Sequence, residues 1–350
     1  MKFNFNSINF PRPYIIAEIG VNHECSIKNA YNLIEQAKKG GAHAVKFQTY
    51  KAEKLASKNS PAYWDTKKEK TKNQYDLFKK FDHFNYKDYL KLVLFCKKKK
   101  IQFLSTPFDE DAVDFLNKHV PVFKIASADI TNLPLLEKIA STKKPVIIST
   151  GASTIAEIKK AILPFKKKGN KNICLMHCIL NYPTLPKNAN LLMIKHLKKK
   201  FPKLTVGYSD HTLPDDEMSS ITTAYMLGAE IIEKHFTNKK TLSGNDHYHS
   251  MDYKDLLKIN VNLSNLKNLI GKSKIKSPIN SESLSRKNAR RSLVTKVQIN
   301  KNEKLNYDNI ICKRPGLGIS PMNIKKVLGK RTKKILKKDT IIKLKHIKKY

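Results

Sequence analysis

Eight short apolar runs in this 350-residue chain turn polar at their carboxyl ends, and the side chains found there can do chemistry. The first run ends in Glu18, followed by Asn22 and His23. The second carries Lys46 and Gln48, two apart and therefore on one face of a strand. The third gives Ser105 and Thr106, the fourth Lys124, Ser127 and Asp129, and the fifth Ser149 and Thr150. The sixth gives His177, Asn181 and Tyr182, the seventh Ser209, Asp210 and His211, and the eighth Glu233 and His235. A single polar strand end is an ordinary cap or a satisfied core group. Eight of them point to one shared site.

The residues fall into two chemical sets. Lys46 and Lys124, with Thr106, Ser127, Ser149 and Ser209, offer two ammonium groups and several hydroxyls, which suit a phosphate or a carboxylate. A rival chemistry for one of these lysines is Schiff-base catalysis, as in barrel aldolases. The second set is metal-like. His211 and His235 end neighbouring strands, and ring closure brings Glu18 of the first strand beside the eighth. Two imidazoles and a carboxylate can hold a divalent cation with positions left open for water or substrate. His177 is read as a hydrogen-bonding group rather than a ligand.

The elements that must position these residues follow from periodicity. The apolar runs cover 14–19, 44–50, 101–107, 122–126, 145–150, 173–179, 204–209 and 229–236. They are nearly continuous in apolar character, as parallel strands buried on both faces are. Between them, segments such as 27–39, 86–99, 155–167 and 216–227 repeat apolar residues every three or four positions and often end at glycine. Eight strand–helix alternations over the first 270 residues predict an α/β chain folded as a (β/α)8 barrel, with chemistry at the carboxyl ends of its strands. A doubly wound sheet would require a Gly-rich turn after the first strand, and GVNHEC is not one.

Residues 271–290, rich in Ser, Lys and Asn, read as a linker. Residues 291–350 form a small, mostly β module with strands expected at 292–297, 310–313 and 340–345. Arg314 precedes a Pro-Gly turn that would present its guanidinium outward. The polar stretch 51–73, containing Trp64, is too long for a simple connection and is read either as a lid or as a packed surface loop.

The net charge of +39 invites a nucleic-acid partner, yet only six of the 68 basic residues are arginine. Base readers favour arginine's bidentate fork, and the lysine runs cluster where helices end. No nucleic acid is expected as a partner. No apolar run reaches the ~18 residues of a membrane helix, and the amino terminus lacks a secretory apolar core. Five scattered cysteines suit a reducing compartment. The expectation is a cytoplasmic protein without a membrane anchor.

The segments IAEIGVNHE, VKFQTY, FLSTPFD, FKIASADITNLPLL, IISTGAST, HCILNYPT, GYSDHT, EKHFT and GNDHYHS, in that order, resemble the sialic acid (nonulosonate) synthase family. The tail RRSL…KRPGLGISP…LGK resembles that family's C-terminal antifreeze-like (SAF, β-clip) domain. The resemblance implies condensation of phosphoenolpyruvate with an N-acetylated hexose, N-acetylmannosamine first, and legionaminate- or pseudaminate-type synthesis as alternatives. The implied route joins phosphoenolpyruvate to a metal-activated aldehyde and releases phosphate by C–O cleavage. It further implies Mn²⁺, with Mg²⁺ or Co²⁺ as alternatives, and a homodimer in which each SAF domain covers the partner's barrel. Carried over by motif, Lys46, Thr106, Lys124, Ser127, Ser149 and Ser209 would bind phosphoenolpyruvate. His211 and His235 would bind the metal, and Glu18 would hold a water or act as base. Gln48, Asp129, Tyr182 and Asp246 would contact the sugar, and Arg314 its N-acetyl group. Asp129 stands where some members carry Glu, and Leu180 where some carry Asn.

Overall fold

The computed structural model describes Phe5, 13–244 and 246–348. The segment read above for a leader lies outside these residues, apart from Phe5 and Pro13, as do the last two positions of the C-terminal module. The chain divides into two compact units, Met1–Gly271 and Lys272–Tyr350.

The first unit contains strands β1 (Tyr14–Gly20), β2 (Ala44–Thr49), β3 (Gln102–Pro107), β4 (Phe123–Ile125), β5 (Val146–Ser149), β6 (Ile173–Cys178), β7 (Thr205–Asp210) and β8 (Ile231–His235). They form one sheet in the order β3-β2-β1-β8-β7-β6-β5-β4, with parallel pairing throughout. The two end strands, β3 and β4, lie against each other, so the sheet is a nearly closed barrel. Its helices are α1 (Ile27–Lys39), α2 (Ala52–Leu55), α3 (Gln74–Lys80), α4 (Tyr86–Lys99), α5 (Glu110–Asn117), α6 (Leu133–Ser141), α7 (Ile155–Lys167), α8 (Met193–Lys200), α9 (Ser219–Met226) and α10 (Tyr253–Ile270). The expected helix at 216–227 is shorter, because Asp215 accepts hydrogen bonds from the amides of Glu217 and Ser219 and holds the chain in a turn before α9. Among the described residues, no helix is long and apolar enough to cross a membrane.

Helix α1 illustrates how local sequence builds the shell. Ser26 caps it by accepting from the Asn29 amide, and Ala30, Leu33, Ile34 and Ala37 form its buried stripe. Gly40 ends it where a Cβ would stand 2.7 Å from Leu256 Cδ2, so only glycine lets α1 approach α10 this closely.

Period two along the strands sorts the barrel interior into layers. Ile16, Ala44, Leu104, Val122, Ile147, Cys174 and Ile231 belong to one apolar cluster, which Met176 extends beside Ser149. Two residues further along the strands, toward the carboxyl end, come Glu18, Lys46, Thr106, Lys124, Ser149 and Glu233. The apolar layer closes the floor, and burial of about 25 cal/mol per Å² there helps offset the cost of the charged layer above it.

The second unit has its own apolar core around Leu293, Ile299, Leu305, Ile310, Leu336 and Ile342. Strands β9 (Ser292–Thr295) and β10 (Ile310–Lys313) pair antiparallel. The expected third strand at 340–345 is not a continuous strand. Ile341 bridges Val294, and the chain then turns into a 3-10 segment at Leu344–His346. Within 340–345, Thr340 and Ile342 bond β9 through their backbones, with Asp339 just before them, so the β-branched run is spent on a short edge contact. The stretch read as a linker contains helix α11 (Ser283–Ala289) and belongs to the second unit.

Candidate active site

The register of the barrel places the strand-end residues side by side. Glu18 pairs in register with Lys46 on β2 and with His235 on β8, while Gln48 pairs with Thr106 and Ser209 with Glu233. A bulge after Glu18 lets Gly20 pair with Phe47. Gly20 has φ +54°, and a Cβ there would stand 3.3 Å from both Gln48 Nε2 and Glu18 Oε1 and 3.7 Å from Asp246 Oδ2. Glycine therefore keeps the mouth open between three polar groups.

Lys46 and Lys124 converge, as the anion set requires. Lys46 Nζ lies 2.6 Å from Glu18 Oε2 and 3.9 Å from Glu233 Oε1, and Lys124 Nζ lies 3.3 Å from the same Glu233 oxygen. Lys46 also donates to Thr106 Oγ1 at 3.1 Å, and Ser209 Oγ donates to Glu233 at 3.2 Å. Ser127 Oγ accepts from the Gly151 amide at 2.9 Å. Ser149 Oγ is buried without a hydrogen-bond partner, as is Glu233 Oε2. Glu233, which was seen at its strand end but given no role, is the counterion between the two lysines.

The charges of this layer are interlocked. Burial would lower Lys46, but the carboxylates of Glu18 and Glu233 outweigh it and hold the ammonium above its usual range. Burial pushes Glu18 up, with Lys46 only partly opposing it. Glu233 is held below the carboxylate range, because Lys124 and Lys46 outweigh its burial.

The imidazoles gather beside this charged layer, His235 being in register with Glu18. The ring centroids of His211 and His235 are 5.5 Å apart. His211 Nδ1 sits 2.9 Å from the Ile179 carbonyl, an acceptor, so Nδ1 carries a proton. The Tyr182 ring lies 4.1 Å from that of His211, tilted by 38°, and stands edge-on to His235 at 6.1 Å. His177 bonds the Ala189 carbonyl at 2.8 Å, in keeping with a hydrogen-bonding role. Among the described residues, the group of His, Cys, Asp and Glu able to share an ion is His235, Asp246 and His249, whose donor atoms lie within 4.8 Å of one another. His211 lies outside that trio, and His249 was not anticipated. His235 Nδ1 and His249 Nε2 are buried without hydrogen-bond partners. Leaving such atoms unpaired costs about 1–3 kcal/mol each, and nitrogen donors beside a carboxylate fit a divalent first-row ion.

The remaining expected residues are more dispersed. Gln48 donates to Glu18 Oε1 at 3.2 Å. Asp129 sits half-buried on the 3-10 turn after β4; one oxygen bonds Asn132 and the other, buried, has no hydrogen-bond partner. Arg314 is exposed on the second unit, just after β10. The 51–73 stretch is packed. Trp64 is buried and donates to the Glu69 carbonyl, Glu69 pairs with Lys80, and Tyr63 reaches Tyr182 at 6.5 Å between centroids.

With this geometry in place, comparison with known proteins is informative. The NeuB family model matches residues 33–275, and the SAF domain model matches 290–348. The chain belongs to the NeuB family. It is 40% identical over 330-odd residues to N,N'-diacetyllegionaminic acid synthase of Campylobacter jejuni, covering 94% of this chain and 98% of that one. It is 33% identical to pseudaminic acid synthase of Helicobacter pylori, covering 94% and 96%. Among solved structures it resembles the N-acetylneuraminic acid synthetase of Leptospira borgpetersenii, at 35% identity and TM-score 0.69, covering 78% of this chain and 90% of that one. The chain is thus an enzyme of the nonulosonate synthase family, a (β/α)8 barrel followed by a SAF domain.

Proposed function

We propose that this chain condenses phosphoenolpyruvate with an N-acetylated hexose, N-acetylmannosamine in the first instance, to give N-acetylneuraminate and phosphate. The observation that carries this reading is the convergence of Lys46 and Lys124 on Glu233, beside a buried and unpartnered Ser149 hydroxyl. That cradle matches a ligand bearing both phosphate and carboxylate. A held divalent ion, Mn²⁺ first and Mg²⁺ or Co²⁺ as alternatives, would supply Lewis-acid polarisation of the sugar aldehyde. His211 and His235 are the residues the family resemblance assigns to it. Lys46 and Lys124, with Thr106, Ser127, Ser149 and Ser209, hold phosphoenolpyruvate so that its alkene carbon faces the aldehyde. That carbon bonds to the aldehyde carbon, whose oxygen takes the carbonyl electron pair and then a proton. Glu18, raised by burial, takes the proton of the water that adds at the oxocarbenium-like C2 left behind. The C–O bond to phosphate then breaks, and the two ammonium groups hold the departing anion.

A Schiff-base aldolase needs a neutral lysine. The ion pair with Glu18 keeps Lys46 protonated and speaks against that chemistry. Borohydride with substrate should therefore leave the chain unmodified. Lys124→Ala should lower kcat/KM for phosphoenolpyruvate at least ~10-fold, matching the ~1.5–3 kcal/mol of a charge-assisted contact. Unchanged kinetics would remove Lys124 from the cradle.

Gln48, Asp129, Tyr182 and Asp246 are proposed to face the sugar. A diacetamido hexose is the second reading, favoured by the 40% identity to a protein named N,N'-diacetyllegionaminic acid synthase. Phosphate release with phosphoenolpyruvate and a panel of both sugar classes, with and without Mn²⁺, decides between them. We also propose a homodimer, working in the cytoplasm, in which Arg314 reaches the partner's site. Coexpressed Lys124→Ala and Arg314→Ala chains should then regain roughly a quarter of wild-type activity, because random pairing builds some intact sites. No recovery would place Arg314 in its own chain's site, and an Arg314→Ala chain that is fully active alone would place it in none.

A further inference from the structure

We propose that His249 is a metal ligand in this chain, completing a donor set with His235 and Asp246. The inference rests on the reading that the site holds a divalent ion, but it concerns a residue that neither the strand-end pattern nor the family resemblance singled out. His249 lies beyond β8, on the 246–251 segment, and is almost fully buried at 1% exposure.

The segment is anchored at many points. Met251 bridges Phe236, its amide donating to the His235 carbonyl at 2.8 Å. Ser250 Oγ accepts from Asn22 Nδ2 at 3.1 Å and donates to the Asp246 carbonyl. Tyr248 OH donates to the Tyr182 carbonyl at 3.0 Å, and His247 Nδ1 meets Thr237 Oγ1 at 2.8 Å. These bonds tie the segment to the ends of β1, β6 and β8, so His249 is placed as firmly as a residue on a strand.

Its orientation is that of a ligand. His249 Nδ1 is 3.1 Å from the Asp246 carbonyl, an acceptor, so Nδ1 carries the proton. The bare Nε2 is then buried with no hydrogen-bond partner. This is the tautomer and the backbone support that metal-bound histidines use. The His249 ring centroid is 5.0 Å from that of His235 and 6.4 Å from that of His211. Rings sharing an ion through bonds of ~2.1 Å have centroids roughly 4.5–5.5 Å apart. His235 Nδ1 stands 3.4 Å from Asp246 Oδ2. Donor atoms around one ion are about 3–4.2 Å apart; the 4.8 Å spread of this trio needs only a small closure. A ligand set richer in nitrogen also binds Co²⁺ and Mn²⁺ in preference to Mg²⁺.

The test uses the full-length chain, stripped by chelator and titrated calorimetrically with Mn²⁺, Co²⁺ or Mg²⁺ alone. His249→Asn and His249→Ala are expected to weaken Co²⁺ and Mn²⁺ binding at least ~10-fold and to alter the visible spectrum of bound Co²⁺. Wild-type affinity and spectrum in both His249 variants, with binding lost in His235→Ala, would overturn the role of His249 while sparing the metal reading. Failure of the wild type to bind either Mn²⁺ or Co²⁺ would overturn both. Melting curves of the metal-free proteins report whether the variants fold. Anomalous diffraction from wild-type crystals grown with Mn²⁺ needs no variant: an ion within about 2.3 Å of His249 Nε2 supports the assignment, and one beyond about 3.5 Å removes it.

Discussion

Alanine at His235 is expected to abolish the activity that Mn²⁺ restores after chelation, by at least about 100-fold, equivalent to about 2.7 kcal/mol of transition-state stabilisation. The imidazole stands at the end of β8, in register with Glu18, its ring 5.5 Å from that of His211 and 5.0 Å from that of His249. Burial, with His249, His211, Lys46 and Lys234 nearby, keeps it well below its ordinary pKa. It is therefore neutral at physiological pH, the form in which imidazole donates to a metal. Its Nδ1 stands 3.4 Å from Asp246 Oδ2, so truncation also removes that contact. The assay is phosphate release after EDTA and graded Mn²⁺, run beside metal-free melting curves to separate a lost ligand from a lost fold. Full recovery with Mn²⁺ would strike His235 from the ligand set.

The second large effect is on stability. Asp210→Asn is expected to destabilise the barrel by about 3–5 kcal/mol. Asp210 and Lys234 are neighbours on β7 and β8, fully buried, with Lys234 Nζ 2.7 Å from Asp210 Oδ2. The same carboxylate accepts from Tyr208 OH, the Thr212 amide and hydroxyl, and Ser220 Oγ. Burial alone would raise Asp210, but the Lys234 ammonium and these donors outweigh it and hold the group ionised. An amide would point two hydrogens at this ring of donors and leave the Lys234 charge uncompensated. Urea unfolding of the variant measures the loss. The double change Asp210→Asn with Lys234→Met should recover much of it, since the stranded charge is gone. Equal stability of wild type and Asp210→Asn would show that the pair contributes nothing. Because Asp210 directly precedes His211, the single variant should lose activity as well.

Much of this protein was legible in its sequence because its chemistry follows a simple period. Lys46 and Gln48 share a face by spacing alone, and the same rule carries Ile16 to Glu18 and Ile231 to Glu233. Continuous apolar runs separated by three-and-four-spaced helices defined the barrel, and the order of short motifs pointed to the family. Three features escaped. The C-terminal run at 340–345 was β-prone in composition, yet which residues bond β9 depends on where the chain turns after Lys343. Glu233 was visible at a strand end, but its position between Lys46 and Lys124 is set by barrel closure, which joins strands almost 190 positions apart. His249 belongs to no periodic element. Its only signal was that it is the second histidine of GNDHYHS, three positions after Asp246. Hydrophobic period is a local property and can be read along the chain; convergence of charge and of donor nitrogens is a property of the closed ring, and only folding creates it.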